Sequence, residues 1–67
     1  MFKKRTPPMT PELAAKAKTL LQMGYHQHHI GMLLGGLNQG RISEVKNGHK
    51  YASVPPVPPD ELGIDLT

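Results

Sequence analysis

Apolar side chains along this chain recur at helical rather than strand spacing. Leu13, Ala17, Leu20, Leu21 and Gly24 fall at i, i+4, i+7, i+8 and i+11, while Lys16, Lys18 and Gln22 point elsewhere, which predicts an amphipathic helix over 11–23. Its start has a mechanism. The Thr10 hydroxyl can accept one of the helix's orphan N–H groups, Pro11 lacks only an N–H that would go unbonded, and Glu12 complements the positive end of the dipole. Gly24 suits the stop. A second helix is expected over 27–34, burying Ile30, Leu33 and Leu34, with Gly31 where another helix packs closely and Gly35-Gly36 as its end. Asn38 is a favoured N-cap, Ile42 and Val45 form an inward i, i+3 pair and Gly48 is a stop, so a third helix is expected over 39–47.

Beyond Gly48 the helical period disappears. HKYASV reads as a strand or extended segment. VPPVPP cannot continue a helix and favours a stiff polyproline II course, and residues 60–66 could form one turn anchored by Leu62, Ile64 and Leu66. At the other end, Phe2, Lys3, Lys4, Arg5 and Pro7-Pro8 show no period and are expected to form an extended arm. The expected organisation is a basic arm over 1–9, a three-helix domain over 10–50 and a Pro-rich acidic tail over 51–67. That tail either folds back to complete the core or crosses to a second copy.

With 67 residues there is room for one small core, and a domain of this size buries only about 60% of its unfolded surface. No cysteine is available to staple it. No apolar run approaches the roughly 18 residues of a membrane span, and no apolar stretch follows the basic N-terminal residues, so a soluble cytoplasmic protein is expected. Charge is unevenly placed. Residues 1–50 carry all eight Lys and Arg against Glu12 and Glu44, a net +6, whereas residues 51–67 carry Asp60, Glu61 and Asp65, a net −3. A basic body implies an anionic partner.

Two short helices joined by a glycine-containing turn and covered by a longer one form the pattern of a helix-turn-helix. Gln27, Ile30, Gly31, Leu34, Gly35, Leu37, Ile42 and Val45 match that family's polar start, small crossing residue, turn glycine and apolar lock. The run 11–48 resembles the three-helix DNA-binding domains of small phage and bacterial regulators and of the recombinases. It departs in one respect, since Gly35 and Gly36 both precede Leu37 and lengthen the turn by one residue. The resemblance implies an all-α fold and a homodimer on a palindrome. It also implies nucleoid-associated, sequence-specific binding of double-stranded DNA, as a transcriptional regulator, a repressor on base rates, or as an accessory factor in recombination.

Helical geometry then assigns the surfaces of the third helix. At about 100° per residue, turning Ile42 and Val45 inward leaves Gly40, Ser43, Glu44 and Asn47 opposite, with Asn38 and Gln39 leading at the N-terminal end. These side chains suit base edges. Asn and Gln bond adenine bidentately, Ser bonds several edges, Glu accepts from the cytosine amino group, and Gly40 lets backbone approach. Arg41 and Lys46 flank that face as phosphate or guanine contacts, and Lys50, Tyr51, Gln27 and His28 are further backbone candidates. Lys3, Lys4 and Arg5 resemble arms that enter an adjacent minor groove.

Other chemistry finds little footing. His26, His28, His29 and His49 do not make a four-ligand zinc site without cysteine, so no metal and no cofactor is expected. Glu12 and Glu44 lie on separate helices, no serine has a recognisable base beside it, and Gly35-Gly36 is a turn, not a phosphate loop, so no enzyme is expected. The rival reading is an interaction module or small inhibitor that uses the helical surface and the tail to bind a protein.

Overall fold

A computed structural model describes residues 9–64. Three α-helices, α1 (Pro11–Gln22), α2 (Gln27–Leu33) and α3 (Gln39–Lys46), pack against one another, followed by a single 3₁₀ turn at Pro59–Glu61. No strand occurs among the described residues. Nor is any of the described helices long and apolar enough to cross a membrane.

The starts of α1 and α3 follow the capping chemistry of the sequence. Thr10 Oγ1 accepts from Leu13 N at 3.2 Å, and Asn38 Oδ1 accepts from Gly40 N at 2.7 Å. All three helices end one residue earlier than their apolar pattern suggests, because Met23, Leu34 and Asn47 serve as C-caps. The following residues, Gly24, Gly35 and Gly48, all have positive φ. Each reversal is a Schellman motif: Tyr25 N donates to Leu20 O, Gly36 N to Gly31 O and His49 N to Glu44 O.

Gly31 is required for a different reason. A Cβ there would stand 2.5 Å from the carbonyl oxygen of Leu37, so only glycine lets the turn before α3 lie against α2. The Gly31 carbonyl oxygen itself accepts from both Gly36 N and Leu37 N, binding the turn to the helix it leaves.

The core gathers Ala17, Leu20, Ile30, Leu34, Leu37, Ile42 and Leu62, with Met9, Leu13, Leu21, Tyr25 and Leu33 around it. Leu62 is only 2% exposed, so the segment after α3 supplies a core residue. This segment, residues 51–64, runs as a strap over α1. Val57 N donates to Ala15 O at 3.4 Å, and the buried Thr19 hydroxyl donates to Val57 O at 2.6 Å. Hence the buried surface of α1 is wider than the stripe through Leu13, Ala17, Leu20, Leu21 and Gly24. Ala14, Ala15 and Thr19 are buried, Leu13 and Leu21 are half-buried, and Gly24 is exposed.

The extended segment expected at HKYASV is instead a tight reversal. Tyr51 adopts φ +58°, and Val54 N donates back to Tyr51 O at 3.1 Å. Lys18 explains this geometry. Its ammonium donates to the carbonyl oxygens of Tyr51 (2.5 Å), Ala52 (3.3 Å) and Val54 (2.5 Å), using all three of its N–H bonds. A strand turns successive carbonyls to opposite sides and could not converge Tyr51 and Ala52 on one cation.

Candidate nucleic-acid interface

α3 is seated by Ile42, 0% exposed, and Val45, 3% exposed. With those two turned inward, Gln39, Gly40, Arg41, Lys46 and Asn47 are exposed and Ser43 and Glu44 are half-buried. The polar face is therefore exposed at both ends of the helix and half-buried at Ser43 and Glu44 between them.

Several of these side chains already hold one another. Asn38 Oδ1 is committed to the N-cap, and a Cβ at position 40 would sit 3.1 Å from it, so Gly40 leaves that cap room. Asn47 Nδ2 donates to Ser43 Oγ at 3.4 Å one turn earlier. Arg41 Nη1 donates to Glu44 Oε1 at 3.3 Å, an exposed i, i+3 ion pair. That carboxylate oxygen is thus engaged on the helix, while the guanidinium keeps four other N–H donors. Gln39 makes no side-chain hydrogen bond within the described residues.

The two flanks differ. On one, Gln39 and Lys46 border a shallow depression shared with Gln27 and His28 at the start of α2 and with Tyr25 and His26 in the preceding turn. Polar groups expected from the sequence on two separate helices thus line one concavity. On the other flank, Arg41 and Glu44 share a hollow with Lys50, Tyr51 and Met9. The Tyr51 hydroxyl donates to Met9 O at 3.0 Å, so this ring ties the N-terminal end of the described chain to the side of α3. Lys3, Lys4 and Arg5 lie outside the described residues. Of the histidines, His26 is the N-cap residue of α2 without a side-chain cap bond, and His29 stacks at a tilt on Tyr25, ring centroids 5.3 Å apart.

Two residues that shape this surface carry no local sequence signal. Lys18 reads as an ordinary exposed cation, yet its ammonium fixes the turn that positions Lys50 and Tyr51. Met9 enters because the chain before α1 passes beside α3, a tertiary fact. No known protein family, curated protein or solved structure matches this chain.

Proposed function

We propose that this chain is a sequence-specific binder of double-stranded DNA, in which α2 and α3 act as a helix-turn-helix and α3 enters the major groove. One observation carries the reading. α3 is fixed by Ile42 and Val45 while its opposite face, bearing Gly40, Ser43, Glu44 and Asn47 and led by Gln39, is exposed or half-buried and is flanked by Lys46 and Arg41.

The dimensions agree. A helix with its side chains is about 10–12 Å across, and the major groove of B-DNA is about 12 Å wide. Gln39 and Asn47 would read adenine edges and Ser43 would bond a neighbouring edge, while Arg41 would present its remaining donors to phosphate. Lys46, Gln27 and His28 on one flank and Lys50 on the other would grip the two phosphate backbones, which positions α3 without reading sequence, while Tyr51 stays bonded to Met9. Lys3, Lys4 and Arg5 would continue from Met9 into a minor groove. A single helix-turn-helix covers few base pairs, so the active form would be a homodimer on a palindrome. A small transcriptional repressor is the role that fits best.

Fluorescence anisotropy with a labelled random duplex and with a selected site, across a salt series, tests the proposal. Binding to both is expected, with the selected site about a thousandfold tighter, the lower end of the usual specificity ratio. Absence of binding even at low salt would remove it.

A further inference from the structure

Beyond the α3 surface, the strap has a geometry that the DNA reading does not use. Val54, Pro55, Val57 and Pro58 each precede a proline, which biases all four toward extended or polyproline II backbone, and Pro58 has φ −59° and ψ 142°. Such a helix has three residues per turn, so it is a triangular prism. One edge, Val54 and Val57, is half-buried against α1. The other two edges, Pro55 with Pro58 and Pro56 with Pro59, are exposed. Pro55, Pro56 and Pro58 line a groove against Pro11 and Ala15 of α1, with Glu12 and Lys16 at its rim, and no residue of α2 or α3 lines it.

The ridge is also held in shape. Lys18 secures its beginning through Val54 O, and Thr19 secures its middle through Val57 O. Docking such a segment requires little further ordering. Directly after the ridge come the exposed carboxylates Asp60 and Glu61.

We infer that this strap is a docking ridge for a second protein whose groove is lined by aromatic rings and bordered by basic side chains. Aromatic grooves accept the paired proline edges of a polyproline II helix, and a basic border complements Asp60 and Glu61. Among the described residues, another copy of this chain does not offer such a groove. It has no Trp, and its two tyrosines lie apart, Tyr25 against His29 and Tyr51 bonded to Met9. A nucleic acid is disfavoured, because the two carboxylates repel phosphate. DNA on α3 and a protein on the strap would occupy different faces at the same time.

The test is a titration of the ¹⁵N-labelled full chain with isolated polyproline-binding domains of SH3 and WW type, one set with basic and one with acidic groove borders. Basic-bordered domains are expected to bind at least about tenfold tighter, about 1.4 kcal/mol, and to shift the amides of Val54, Val57, Asp60 and Glu61. Pro55→Ala with Pro58→Ala should weaken that binding by about tenfold or more in a chain that still folds, its melt lowered only by the added freedom of the unfolded chain, since Val54 and Val57 stay seated. Asp60→Lys with Glu61→Lys should reverse the preference between the two sets. Replacing Arg41 and Lys46 by alanine should leave it intact, which separates this inference from the DNA reading. No shift at millimolar domain, shifts confined to the helices, or equal binding by the proline and charge variants would overturn it.

Discussion

Replacing Ile42 by alanine is expected to destabilise the protein by about 2–5 kcal/mol, a loss large enough to leave much of it unfolded at 25 °C. Ile42 is 0% exposed and belongs to the central cluster with Ala17, Leu20, Ile30, Leu34, Leu37 and Leu62. Truncating it removes the transfer energy of three carbons and opens a void where residues from α1, α2, α3 and the strap meet. A core of this size seldom supplies more than about 3–5 kcal/mol, and there is no disulfide in reserve. Ser43→Ala on the adjacent polar face is the control. Ser43 is half-buried and makes only a 3.4 Å contact with Asn47, so its loss should change stability by no more than about 0.5 kcal/mol. Urea unfolding followed by circular dichroism distinguishes the two. An Ile42→Ala protein as stable as the parent would mean that α3 is not anchored through this side chain.

Changing Arg41 and Lys46 together to alanine is expected to have the opposite profile, leaving the fold alone and damaging the proposed DNA contact. Both side chains are exposed, and the i, i+3 Arg41–Glu44 pair at 3.3 Å is of the kind worth about 0.2–0.5 kcal/mol. On DNA each cation would displace condensed counterions from a phosphate. Losing both should make the plot of log K against log salt shallower by about 2 and weaken binding to all sequences by a similar factor. Anisotropy titrations at several salt concentrations read both quantities. An unchanged slope would place the phosphate contacts elsewhere on the protein.

The helices were legible because their ends are chemically marked. Thr10-Pro11 and Asn38 are caps that act within three residues, and Gly24, Gly35 and Gly48 are the residues that the Schellman reversals demand. The inward pair Ile42 and Val45 was legible from spacing, and with it the composition of the exposed α3 face. What stayed hidden depends on contacts distant in sequence. Lys18 meets carbonyls 33 to 36 residues away, and Thr19 meets Val57 across 38. Neither leaves a trace in local propensity. HKYASV misled for the same reason, because Tyr51 and Val54 favour strands while the Lys18 ammonium gathers the surrounding carbonyls into a turn. The buried face of α1 is wider than its apolar stripe because the strap covers Ala15 and Thr19 on a second side.

The orientation of α3 is the claim on which the functional proposal rests, and selection of bound sites from a random duplex library tests it most directly when run in parallel on the parent and on Gln39→Ala. Gln39 is exposed at the leading end of α3 and unbonded to any described side chain, so its removal should leave folding untouched. The parent should enrich a palindrome. The variant should enrich the same palindrome with one symmetric position relaxed, its former base preference reduced by about 1–3 kcal/mol. No enrichment by the folded parent, or a variant that selects the identical sequence at every position, would contradict α3 as the reading helix.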